Sequence, residues 1–186
     1  MKIMAIIGSM RNGNTKYLVE KMISEMRLTN EICIKKLHLK DITLHFCDGC
    51  LICDETGKCV IDDDMSKIVD EIRRADGFVF ASPARWSLLS GEMKTFFDRL
   101  NPLAVREELR GKSCVNIVVG QSEEDDKESI ILASNSMKAF CDNAGIKVIE
   151  TVLVCGCYGD RDILEKNKYI EEGIKAGNKL LENLQK

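Results

Sequence analysis

Four cysteines fall within thirteen residues, spaced Cys47-x2-Cys50-x2-Cys53-x5-Cys59 in the segment CDGCLICDETGKC. Short spacings of this kind let a turn-forming loop, here with Gly49 and Gly57, bring several thiolates around one metal centre. Three cysteines in successive x2 steps match ligation of a 4Fe-4S cluster better than the paired halves of a zinc site, with zinc and metal-free thiols as the alternatives. With four sulfurs at hand, the nearby His45 reads as a surface or packing residue rather than a ligand. The other five cysteines are scattered among apolar stretches. Cys33 and Cys114 read as core, and Cys155 and Cys157 as small apolar residues at a strand end, with redox activity the lesser reading.

A second segment, Gly8-Ser9-Met10-Arg11-Asn12-Gly13-Asn14-Thr15, follows an apolar run and precedes a helical one. A phosphate needs close backbone approach, free N–H donors and a helix N-terminus aimed at it. Gly8 and Gly13 permit the approach, while Ser9, Arg11, Asn14 and Thr15 add side-chain donors. The plainer alternative is a strand-to-helix turn capped by Asn14 or Thr15. The segment is neither GxGxxG nor GxxxxGK[ST], which argues against a dinucleotide Rossmann site and a P-loop nucleotidase. A third segment, Ser82-Pro83-Ala84-Arg85-Trp86, suits a flat ring: Pro83 stiffens the turn, and Trp86 either stacks on that ring or caps the core.

Elements that would hold these segments follow from hydrophobic period. Apolar runs rich in Ile and Val at Lys2–Gly8, Glu31–Leu39, Gly77–Ala81, Ser113–Gly120 and Lys147–Cys155 read as five strands. Helical spacing occupies Tyr17 to Met26, Met65 to Ile72, Glu92 to Leu100 and Ile130 to Ala144; a last helix carries Ile170, Ile174, Gly177, Leu181 and Leu184 on one face. Alternating strands and helices imply a parallel sheet covered on both faces. The expected fold is α/β, a flavodoxin-like three-layer sandwich with strand order 2-1-3-4-5, formed by residues 1–186 as a single domain. Ligands then collect at the carboxyl ends of the strands, where the first and third segments meet. The connection 40–63, which holds the cysteine cluster, is far longer than the ~2–6 residues such a turn needs.

The 186 residues carry 27 Lys and Arg against 30 Asp and Glu, so the net charge of -3 supplies no basic field for a nucleic-acid backbone. The apolar start meets Gly8 too early for a membrane span or a secretory core, and the expected location is cytoplasmic. The acidic run Glu123–Asp126 reads as a solvated loop, with partner docking the minor reading. No hydrolytic triad is visible, and with only His38 and His45 in the chain no catalytic acid or base is assigned.

Taken together, GSMRNGNT, SPARW, Lys94-x3-Asp98-Arg99 and CDGCLICDETGKCVIDDDM resemble the iron–sulfur flavoprotein family, a branch of the NAD(P)H-dependent FMN reductase group. The resemblance runs from Met1 to about Arg99 and continues more weakly through Gly120-Gln121 and Gly156-Cys157-Tyr158-Gly159. It implies bound FMN and a 4Fe-4S cluster on Cys47, Cys50, Cys53 and Cys59. It also implies that Ser9, Arg11, Asn14 and Thr15 hold the FMN phosphate, that Pro83, Ala84, Arg85 and Trp86 contact the isoalloxazine, and that Gly120 and Gln121 face its other side. Where the family's turn commonly reads Ser-Pro-Val-Tyr, this chain has Ala84 and Arg85. The implied activity is electron transfer between cluster and FMN, with a small redox carrier such as ferredoxin or NAD(P)H as partner and a homodimer or homotetramer as assembly. The competing readings are a cluster-free NAD(P)H-dependent FMN or quinone reductase and a non-catalytic redox-sensing flavin binder.

Overall fold

A computed structural model of the chain describes residues 1–29 and 32–186. The apolar runs form strands β1 (Lys2–Ile7), β2 (Cys33–His38), β3 (Gly77–Pro83), β4 (Ser113–Val119) and β5 (Lys147–Val154). They pair as one all-parallel sheet in the order β2-β1-β3-β4-β5, the flavodoxin-like arrangement. The expected first residue of the second strand, Glu31, lies outside the described residues. Every residue of β4 is buried, as is all of β3 up to Pro83, as a strand covered on both faces requires. Edge strand β2 instead mixes buried and exposed positions, and the exposed ones are Cys33, Lys35 and Lys36. That corrects the reading of Cys33 as core: an Ile- and Leu-containing run at a sheet edge has one wet face.

Seven helices accompany the sheet among the described residues: α1 (Asn14–Thr29), α2 (Ile52–Thr56), α3 (Met65–Arg74), α4 (Gly91–Asp98), α5 (Asn101–Ala104), α6 (Glu128–Asn143) and α7 (Asn167–Leu184). The two faces of β3 assign them to layers, because side chains alternate along a strand. Phe80 meets Phe97 of α4 edge-on at 5.2 Å and Phe140 of α6 at 6.3 Å, and those two rings stack at 3.9 Å. On the opposite face, a Cβ at Gly77 would meet Leu184 of α7 at 2.9 Å. The helix expected to run to Leu100 ends at Asp98, and α5 restarts with Pro102 in its first turn, where the missing N–H costs nothing.

The last helix buries Gly177 and Leu181 as expected, but the centre of its buried stripe is shifted to Tyr169, Gly173, Ala176 and Leu180, with Ile170, Ile174 and Leu184 half-buried at its edge. Gly173 and Gly177 explain the rotation. A Cβ there would meet Leu18 at 2.9 Å and Met22 at 2.8 Å, so α1 and α7 approach over glycines rather than over Ile170 and Ile174.

Candidate functional site

The carboxyl ends of the strands converge where the chain order reverses between β1 and β3, the place where open α/β sheets take ligands. One cleft there is lined by Ser9, Arg11, Gly13, Asn14, Thr15, Pro83, Ala84, Arg85, Val119, Gly120, Gln121 and Cys157. The structure thus gathers Ser9, Arg11, Asn14, Thr15, Pro83, Ala84, Arg85, Gly120 and Gln121 from three separate segments. Trp86 stands apart from that lining.

The floor of the cleft is the start of α1, whose first N–H groups have no partner within the helix. Thr15 is buried, and its hydroxyl has no partner among the described residues. Arg11 pairs with Asp160 at 3.0 Å, with both side chains more than half exposed. Asn14 does something else: its amide donates to Gly159 O at 2.6 Å and accepts from the Ile163 N–H at 3.0 Å. It fastens the start of α1 to the loop after β5. The two glycines also divide their work. A Cβ at Gly13 would find Asp160 O at a comfortable 3.5 Å, whereas one at Gly8 would meet Met93 Cβ at 2.9 Å. Gly8 is therefore small because α4 packs against it.

Behind the first loop stand residues that sequence reasoning passed over. Buried His38 donates from Nε2 to Ser9 O at 2.5 Å, and burial holds its pKa below the usual value against the pull of that hydrogen bond. The ring is thus a neutral prop for the loop. Ser90 caps α4 by accepting from the Met93 N–H and donates to Gly8 O at 2.6 Å, while Ser82 accepts from the Ser90 N–H at 3.0 Å. This chain of hydroxyls ties the first loop, the end of β3 and α4 together. The only clue to it in the sequence was serine at both ends of the turn. Cys157 enters the cleft wall as a buried thiol whose pKa burial pushes up to about 11, which leaves it protonated and a poor nucleophile at neutral pH.

Beyond Pro83 the chain makes a two-residue hairpin. Arg85 and Leu88 exchange backbone hydrogen bonds at 2.8 and 3.0 Å, and Trp86 and Ser87 between them have φ of 50° and 64°. Positive φ at both positions is the geometry such a loop demands, and it is strained for an aromatic residue. Trp86 is 99% exposed, so the core-capping alternative is excluded. The Arg85 side chain reaches solvent at the cleft rim without a partner among the described residues.

The cysteine segment departs from the carboxyl end of β2 and is anchored by one buried ion pair. Arg99, just past α4, donates to both carboxylate oxygens of Asp63 at 2.5 and 2.9 Å, with side chains 1% and 0% exposed. Burial alone would raise the Asp63 carboxyl; hydrogen bonds from Arg99 and from the His45 and Met65 N–H groups outweigh it and hold the pKa low. Arg99 also donates to His45 O at 2.8 Å, so exposed His45 serves through its backbone. Burial works against the Arg99 charge, and Asp63 and then the Cys59 sulfur restore it. Asn101 in α5 donates to Cys53 Sγ at 3.2 Å and to Asp54 at 2.6 Å. Neither the ion pair nor Asn101 carries a spacing signal, since their partners lie 36 and 48 residues away.

All four clustered cysteines are free thiols: Cys47 and Cys50 exposed, Cys59 half-buried, Cys53 buried. Short α2, between Leu51 and Gly57 in left-handed conformation, separates Cys50 from Cys59. Among the described residues no group of three or more His, Cys, Asp or Glu side chains is gathered closely enough to hold a metal ion. The donor set nevertheless suits a soft metal centre, with four reduced sulfurs and an amide donor already on one of them.

Comparison with known proteins agrees with this geometry. Residues 1–151 match the family described as NADPH-dependent FMN reductase. An iron–sulfur flavoprotein of Methanocaldococcus jannaschii is 35% identical over 132 residues, 70% of this chain and 68% of that protein. An iron–sulfur flavoprotein of Archaeoglobus fulgidus is 33% identical over 120 residues, 64% of this chain and only 54% of its own length. In fold, the chain is similar to an FMN-dependent NADH-azoreductase from Bacillus anthracis solved with FMN, with a TM-score of 0.70, 14% identity, and 97% and 99% of the two chains covered. The chain belongs to the NADPH-dependent FMN reductase family, in its iron–sulfur flavoprotein branch.

Proposed function

We propose that the protein is an FMN-containing electron-transfer oxidoreductase, with FMN in the cleft and a 4Fe-4S cluster on Cys47, Cys50, Cys53 and Cys59. The observation that carries this reading is the convergence of three separated segments on one cleft at the start of α1. When bound, the two cofactors supply one- and two-electron redox chemistry, which the side chains themselves lack.

The chain's own work is binding and placement. Ser9, Thr15 and the first N–H groups of α1 meet the dianionic phosphate, where a single phosphate ester fits and a dinucleotide has no second nest. Arg11 adds a screened charge at the rim, and Asn14 keeps the helix start in place. Pro83, Ala84 and Arg85 border one side of the ring, Gly120 and Gln121 the other, and Arg85 presents its cation to a reduced, anionic flavin. Trp86 is set to cover the ring or a neighbouring protomer. No residue is assigned as a proton donor or acceptor.

Residues 1–186 form one domain in this reading, the location is cytoplasmic, and the electron partner is NAD(P)H or a small carrier such as ferredoxin. A homodimer or homotetramer is favoured by exposed apolar side chains, since Trp86, Phe46, Leu51 and Leu88 are all more than half exposed. The ungathered sulfurs favour a second reading, a cluster-free FMN or quinone reductase. Titration of apoprotein with FMN and with FAD tests the cleft: saturation by FMN alone is expected, and preference for FAD or absence of flavin binding overturns the assignment.

A further inference from the structure

We propose that the α4–α5 corner sets the reduction potential of the cluster through two N–H donors: Asn101 on the Cys53 sulfur and Arg99 on the Cys59 sulfur. This rests on the preceding assignment of Cys47, Cys50, Cys53 and Cys59 as cluster ligands. The first donor is explicit, since Asn101 Nδ2 lies 3.2 Å from Cys53 Sγ. The amide is held there by Asp54, which accepts its other proton at 2.6 Å.

The second donor rests on an orphan. Arg99 spends both terminal nitrogens on Asp63 and on the carbonyls of His45 and Ile61. Its Nε is fully buried and has no hydrogen-bond partner, which makes it the only such buried side-chain nitrogen or oxygen among the described residues. A buried unpaired donor costs about 1–3 kcal/mol, so such atoms call for an explanation. Arg99 and half-buried Cys59 line one and the same cavity of about 300 Å³, and a thiolate there would give Nε its acceptor.

The physical effect has a fixed sign. Reduction adds one electron, taken from an external reductant, and the added negative charge spreads onto the sulfur ligands. An N–H dipole aimed at a sulfur stabilises the reduced form more than the oxidised one and raises the potential. Removing the donor lowers it. Both donors would act on sulfur rather than on iron, so Asn101 and Arg99 are positioning residues.

The test is a mediated dithionite titration of the anaerobically reconstituted protein, following the cluster by its EPR signal. Asn101→Leu, close in shape but without the N–H, is expected to keep FMN and iron. It should shift the one-electron equilibrium at least tenfold towards the oxidised form, about 59 mV for a one-electron couple. Arg99→Lys, which keeps a cation for Asp63 but loses Nε, is expected to shift the same way. Arg106→Lys is the control: Arg106 donates to Glu55 O at 2.7 Å, has no hydrogen bond to a sulfur, and the substitution keeps its charge, so the wild-type potential is expected.

Should Asn101→Leu fail to retain iron, the wild-type protein still decides the question. With 15N-labelled asparagine, pulsed EPR of the reduced cluster should detect nitrogen coupled to it, and absence of that coupling overturns the proposal. A loaded Asn101→Leu cluster with unaltered potential overturns it equally, while leaving the cluster assignment standing. A wild-type chain that takes up no iron overturns the ligand assignment and this inference together.

Discussion

Thr15 and Arg11 occupy the same cleft, yet their contributions to binding differ by environment. Thr15 is buried with a hydroxyl that has no partner among the described residues, so the hydrogen bond proposed from it to a phosphate would be worth about 1.5–3 kcal/mol. Thr15→Ala is expected to weaken FMN binding about 10- to 100-fold. Arg11 is more than half exposed and already paired with Asp160, and Arg11→Ala should cost only about two- to five-fold. Flavin-fluorescence titration separates the two, and equal losses would show that Arg11 leaves Asp160 for the ligand. His38 gives a pH signature. Burial lowers its folded pKa below the ordinary 6.5, so between those values the unfolded chain binds a proton that the folded chain refuses. Its contribution to stability is complete above pH 6.5 and is lost as pH falls through the folded value. Urea unfolding at stepped pH should show this decline, with a slope of at most about 1.4 kcal/mol per pH unit, and His38→Gln should flatten it.

Elements were legible wherever periodicity was strong. The five Ile- and Val-rich runs gave the strands of the sheet and, with alternation, its order, because a buried parallel strand has few other ways to look. The clefts at strand ends followed from that. What stayed illegible were contacts across long sequence distance. Nothing local pairs Asp63 with Arg99 or places Asn101 on Cys53, and no pattern shows that Trp86 falls at a left-handed turn position rather than on the core. The face of α7 was only partly read: Gly177 and Leu181 lie on it as expected, but hydrophobicity picks out Ile170 and Ile174 where close approach to α1 selects Gly173. Gly177→Ala should therefore cost about 1–3 kcal/mol through overpacking against Met22 and Met26, measurable as a lower urea midpoint. Asp63→Asn should cost more, about 3–5 kcal/mol, since it leaves a buried guanidinium uncompensated. Limited proteolysis should then cut within 40–63 first, where the wild-type segment resists.

For the whole molecule, the cleft lies at the carboxyl edge of the sheet, while the cysteine segment reaches the far end of α4, where Cys47 and Leu51 line a cavity with Asn101, Val105 and Ala144. Exposed apolar side chains, Trp86 at 99% among them, accompany both regions. No helix among the described residues is long and apolar enough to cross a membrane. The proposed homo-oligomer would cover Trp86, and light scattering should then give at least twice the chain mass, with Trp86→Ser lowering it. The account as a whole rests on the chain holding two cofactors. The most direct test is the content of flavin, iron and acid-labile sulfide per chain after anaerobic reconstitution. The account predicts one FMN with about four iron and about four sulfide. Iron near zero, or stoichiometric zinc in protein made with ample iron, would contradict it.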